Sequence, residues 1–250
     1  MPIFSKSDKN ILFIHIPKTG GSSIRSSLGD NYELIYNASK INFKKLGYID
    51  VNEKFEKYDF TIYSFKDHLP YQLIKKDEYY SKYTFTFIRN PFSRIVSLYY
   101  ECISAELHQN NLGISNNITF EDFLNILIKN QYWFTIPMID YIGKKNLNYI
   151  DDIFKYENFD DEIFKLKKKF KISIKHHNHN NVIASKTKFS DYRPYYFNKE
   201  NIEKVYFLYQ KDFDYFNYNF DKFERFEKKK MKISTILQSI LKRKFSNFFN

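Results

Sequence analysis

Cysteine and glycine are both scarce in this 250-residue chain, and each scarcity narrows what the molecule can be. Cys102 is the only cysteine, so no internal disulfide can form and the chain suits a reducing compartment. With only six glycines, the adjacent pair Gly20 and Gly21 stands out, whereas Gly29, Gly47, Gly113 and Gly143 read as ordinary turn or helix-end residues. No apolar run approaches the roughly 18 residues of a membrane-spanning helix, and the first ten residues, MPIFSKSDKN, lack the apolar stretch of a signal peptide. A cytoplasmic location is the expectation. Methionine (3) and tryptophan (1) are rare too, so 27 Phe and 22 Tyr must supply much of the core.

What is present is a basic, aromatic chain long enough for one domain with a small appendage. A formal charge of +11 favours polyanionic ligands: nucleotides, acidic or sulfated glycans, nucleic acid or anionic lipid. Residues 11–16 (ILFIHI) are near-continuously apolar, as expected of a strand covered on both faces, and Pro17 stops it. Further strands are expected at 32–36, 60–65, 83–88 and 152–156, and helices at 92–107, 119–130 (capped by Thr119), 159–170 and 199–216. The alternation predicts an α/β fold, a central mostly parallel sheet flanked by helices. Residues 1–220 form the expected domain. Residues 221–250 place Ile233, Ile236, Leu237, Ile240, Leu241, Phe245 and Phe248 at helical spacing among Lys228, Lys229, Lys230, Lys232, Lys242, Arg243 and Lys244, the pattern of a basic amphipathic helix. It could dock on the core or a second subunit, or rest on the anionic inner face of a membrane.

Two segments carry chemistry. In the first, the strand at 11–16 runs into Pro17-Lys18-Thr19-Gly20-Gly21-Ser22-Ser23 and then a helix, an arrangement that offers backbone N–H groups, hydroxyls, a lysine and two glycines that let a phosphate approach. It is not the triphosphate loop G-x-x-x-x-G-K-[ST], because the lysine precedes the glycines. The second, Phe87-Ile88-Arg89-Asn90-Pro91-Phe92-Ser93-Arg94-Ile95-Val96-Ser97, sets Arg89 at a strand end and Ser97 about two helical turns later, where a guanidinium fork and a hydroxyl could meet one anion.

This pair of motifs, about seventy residues apart, resembles the carbohydrate sulfotransferases that include the heparan and chondroitin/dermatan O-sulfotransferases. Similarity continues at Ile153-Phe154-Lys155-Tyr156-Glu157-Asn158-Phe159 and Tyr192-Arg193-Pro194-Tyr195-Tyr196, covering about residues 10–218. The resemblance implies a P-loop-like sulfotransferase fold and 3′-phosphoadenosine 5′-phosphosulfate (PAPS) as co-substrate. It implies that Pro17, Lys18, Thr19, Gly20, Gly21, Ser22 and Ser23 hold the 5′-phosphosulfate, with Lys18 at the oxygen bridging sulfur and phosphorus. Arg89 and Ser97 would hold the 3′-phosphate. No metal is implied, and the partner is a carbohydrate acceptor, not a nucleic acid.

In-line sulfuryl transfer needs a base for the acceptor hydroxyl, and His68, directly after an expected strand, is the candidate. Related sequences often carry Gly before this histidine, where Asp67 stands here, and that carboxylate could raise the basicity of His68. His15 reads as structural, His108 as a surface residue, and His176-His177-Asn178-His179 as part of a polar loop with no accompanying cysteine or spaced carboxylate. Two other readings stay open: a nucleotide-dependent phosphotransferase on a similar sheet, and a non-catalytic basic module binding glycan or nucleic acid through charge. The missing signal segment points to an intracellular acceptor such as a capsular or lipid-linked saccharide.

Overall fold

The computed structural model describes residues 2–6, 9–28, 32–34, 68, 70, 71, 83–130, 132–170 and 191–220. The chain divides into two units, Met1–Tyr218 and Asn219–Asn250, and the architecture below is that of the first. The expected strand at 60–65, the polar loop at 176–188 and the amphipathic helix at 221–250 lie outside the described residues, as does Asp67.

Five strands form one sheet in the order β3-β1-β2-β4-β5: β1 (Pro2–Lys6), β2 (Lys9–Ile14), β3 (Tyr32–Leu34), β4 (Tyr83–Ile88) and β5 (Asp152–Lys155). β2, β4 and β5 run parallel, with Phe13 opposite Phe85 and Thr86 opposite Ile153, whereas β1 pairs antiparallel with β2 and β3. Both faces of the parallel strands are covered, since Ile11, Leu12, Phe13 and Ile14 are all buried. On one face Phe13, Phe85, Phe87 and Phe154 pack with Ile24 of α1 (Gly21–Leu28) and with Phe159, Ile163 and Leu166 of α6 (Phe159–Phe170). Each such side chain removed from water contributes about 1.5–3 kcal/mol.

The other described helices are α2 (Pro91–Ser104), α3 (Glu106–Leu112), α4 (Phe120–Lys129), α5 (Met138–Ile142) and α7 (Lys199–Phe216). None is long and apolar enough to cross a membrane. The α/β architecture read from the sequence holds, as do β4, β5, α6 and α7 within a residue of their expected bounds. The helix expected at 92–107 is instead two, broken at Ala105, whose extended backbone ends α2 and starts α3. Asn90 opens α2: its side-chain oxygen accepts from the Phe92 N–H and Pro91 occupies the first turn, where no N–H is needed. Thr119 caps α4 by accepting from the Asp122 N–H at 3.1 Å.

One buried ion pair ties the helical layer to the loop after β2. Arg94, 1% exposed, donates from Nε to the Pro17 carbonyl at 3.0 Å and from its terminal nitrogens to the carbonyls of Phe134 and Ile136. Asp212 of α7 stands 3.9 Å away and accepts from the Met138 and Ile139 N–H groups at 2.9 Å each, so α5 is capped by a residue far along the chain. Burial pushes the Asp212 carboxyl up to about 6, against the pull of Arg94 and the two N–H donors. Its folded value lies above its ordinary 3.8, so the folded state binds the extra proton. Stability should therefore fall as pH rises between about 4 and about 6, then level off. Asp212→Ala is expected to cost about 3–5 kcal/mol, because it leaves Arg94 buried without its counter-charge. Urea unfolding of both proteins across that pH range checks the loss and the disappearance of this part of the slope.

Candidate active site

The carboxyl ends of the three parallel strands meet at one edge, the usual place for a ligand in an open α/β sheet. β2 delivers the loop at residues 15–20, β4 delivers Arg89 and β5 delivers Tyr156 and Glu157. A cleft of about 290 Å³ opens there.

The loop is held in an unusual conformation by named contacts. Lys18 and Gly20 both have positive φ, 67° and 94°. For lysine this region is costly, and such strain persists only where surroundings over-determine it. Arg94 fixes the Pro17 carbonyl, the Thr19 hydroxyl donates to the Ile16 carbonyl at 2.9 Å, and Arg89 donates to the Lys18 carbonyl at 3.2 Å. Thr19 is therefore turned inward and fully buried, so its hydroxyl shapes the loop while its neighbours face the cleft.

The two glycines answer to two rings. A Cβ on Gly20 would come within 2.8 Å of the Tyr156 ring, and one on Gly21 would fall inside the His15 imidazole. Gly21→Ala must displace His15, an overpacking expected to lower stability by about 1–3 kcal/mol in a thermal melt. His68 should move with it, because its Nδ1–H donates to the His15 carbonyl at 3.0 Å, and the two rings lie 4.0 Å apart.

Pro17, Lys18, Gly20, Gly21, Ser22 and Ser23 line the cleft together with His68, Arg89 and Ser97. Of the described residues expected to hold the donor or act as base, Thr19 alone is absent from its wall. Ser22 and Ser23 sit in the first turn of α1, where backbone N–H groups have no partner within the helix and suit an anion. Arg89 is braced by Ser93 (Nε to Oγ, 2.8 Å) and lies over the Tyr156 ring at 4.3 Å. Burial pulls its guanidinium below the usual value, opposed by Tyr156 and Glu157. These residues fit a bisphosphorylated nucleotide: phosphate donors at a helix N-terminus on one side, a braced guanidinium and a hydroxyl on the other.

Sequence similarity to the Sulfotransferase family extends over residues 1–219. The chain belongs to that family. No curated protein and no solved structure matches it. Sulfotransferase membership makes the chain a transferase and sulfuryl transfer its reaction class, which displaces the phosphotransferase and the non-catalytic module as readings of this cleft. Sulfotransferases generally take the sulfuryl group from PAPS.

Reading the sequence missed several residues that build this cleft. His108, expected at the surface, lines the cleft from α3 beside Phe134. Glu101 lines it from α2 and pairs with Lys18. Glu157 accepts from the Asn90 N–H at 2.6 Å and from the Tyr218 hydroxyl at 3.0 Å, joining the end of β5 to the start of α2. The periodicity of α2 offered one usable signal, since Glu101 falls one turn beyond Ser97 on the same face. His176, His177 and His179 lie outside the described residues; among the described ones, no group of three or more His, Cys, Asp or Glu could hold a metal ion.

Proposed function

We propose that this sulfotransferase moves the sulfuryl group of PAPS to a carbohydrate hydroxyl, with His68 as general base and Lys18 at the leaving phosphate. The observation that supports it is the convergence of Lys18, the glycine pair, His68, Arg89 and Ser97 on one cleft.

The donor supplies an electrophilic sulfur and a nucleotide leaving group. The residues divide the remaining work. Gly20, Gly21, Ser22 and Ser23 hold the 5′-phosphate, and Arg89 with Ser97 holds the 3′-phosphate. His68 is oriented by its bond to the His15 carbonyl: a carbonyl can only accept, so Nδ1 carries the proton and Nε2 keeps its lone pair. Nε2 takes the acceptor hydroxyl's proton as the new oxygen–sulfur bond forms. Lys18 neutralises the charge left on the phosphate oxygen as the old sulfur–oxygen bond breaks, and adenosine 3′,5′-bisphosphate leaves with that electron pair. No step calls on a metal.

A capsular or lipid-linked saccharide is the acceptor class we favour. The formal charge of +11 suits an acidic glycan, and the cationic residues of segment 221–250 would hold the enzyme near an anionic membrane surface. Incubation of the enzyme with radiolabelled PAPS and fractionated lysate tests this reading. Label is expected in a saccharide fraction, lipid-linked or capsular. Label confined to protein or small phenols would overturn the carbohydrate assignment.

A further inference from the structure

Glu101 is the one carboxylate among the described residues lining the cleft, where every other charged or titratable neighbour is a lysine, an arginine, a histidine or a tyrosine. A site that receives a polyanion has reason to exclude a carboxylate, so this one needs an explanation. Glu101 reaches in from α2, and one carboxylate oxygen accepts from the Lys18 ammonium, 83 residues away in sequence. Its other oxygen faces His108 Nε2, on α3, at 3.7 Å. One carboxylate therefore stands between two potential cations. Together His108 and Lys18 hold the Glu101 carboxyl down at about 2, with His108 the larger influence, so it stays ionised and cannot act as a base near neutral pH.

We propose that Glu101 is a positioning residue for Lys18, and that His108 gains a proton and becomes the counter-ion of Glu101 when Lys18 turns to the donor. This rests on the reading of the cleft as the donor site. Lys18 is a compact charge on a flexible stem with three N–H donors, suited to exchanging one anionic partner for another. Glu101 keeps the ammonium on the cleft side of the loop, within reach of the donor's bridging oxygen. Once the lysine leaves, Glu101 faces the incoming negative charge without compensation. His108 is the group placed to correct this: its Nε2 stands 3.7 Å from Glu101 and its buried Nδ1 has no hydrogen-bond partner among the described residues, so a second proton on this ring puts a cation beside the carboxylate. Of the other groups in the cleft wall, Arg89 is already cationic, and His68, whose Nδ1 donates to the His15 carbonyl while its Nε2 stays open to a proton, is told apart from the Glu101–His108 pair by the His68→Asn variant below.

The consequence is a proton taken up with the nucleotide. Calorimetric titration of the full chain with adenosine 3′,5′-bisphosphate near pH 7, repeated in buffers of different ionisation enthalpy, counts it. Wild type is expected to take up protons; Glu101→Gln and His108→Asn should lose that part of the uptake, while Glu101→Asp, which keeps the charge, and His68→Asn should retain it. Far-ultraviolet dichroism and melting of each variant establish that it is folded. Binding with the same proton count in wild type, Glu101→Gln and His108→Asn overturns the inference and leaves the donor reading intact. Absence of nucleotide binding to wild type overturns the donor reading and this inference with it.

Discussion

A His68→Ala variant is expected to lose about 100- to 10,000-fold in kcat, the range over which a positioned general base contributes, while binding nucleotide as wild type does. The reasoning starts from tautomer control. The backbone carbonyl of His15 fixes the proton on Nδ1 of His68, and His15 itself is pinned between Phe13, on which it stacks at 5.5 Å, and Gly21. The proposed base is thus held by the same loop that is proposed to contact the phosphate, so proton acceptance and donor contact would share one frame. A pH–rate profile should lose its acidic limb in the variant, and added imidazole should restore part of the rate. Full activity in His68→Ala would remove the proposed base and leave the family assignment standing.

Lys18→Ala is expected to lower kcat by about 100- to 1,000-fold, the usual loss when one charge-stabilising donor is removed from a developing anion. Fold stability should change little. Alanine shares the lysine's intolerance of positive φ, so the backbone strain at 67° is unaltered, and the lost partner Glu101 is partly exposed and keeps His108. Lys18→Arg should not restore the rate, because a planar fork is poorly matched to the place of a compact ammonium. Steady-state rates at saturating donor separate this effect from binding.

Legibility in the sequence followed the range of the forces involved. The run ILFIHI, the cap at Thr119 and the helices α6 and α7 are set by local periodicity and capping, and the chain carries those signals on its face. The two motifs of the cleft were readable because each sets a strand end and a helix start within a few residues of one another, the first with a glycine pair and the second with an arginine. Glu101 and His108 were not, since their place in the site depends on Lys18, which reaches α2 only after the sheet has formed. Arg94 and Asp212 were invisible for a related reason: a charged residue in a helix reads as solvent-facing until its partner, over a hundred positions on, is known to be buried with it. α5 was missed because its N-terminal N–H groups are capped by Asp212 instead of a neighbouring side chain. The N-terminal strand β1 gave little warning either, being short and supported by pairing with β2 and β3.

Direct titration of adenosine 3′,5′-bisphosphate into the metal-free protein tests the central claim, that the loop at Lys18 and the arginine at the end of β4 together form one nucleotide site. Wild type should bind, and Arg89→Ala should bind about tenfold or more weakly, the value of a charge-assisted hydrogen bond to phosphate; Lys18→Ala should also be weakened. No binding to wild type, or equal binding by all three proteins, would contradict it.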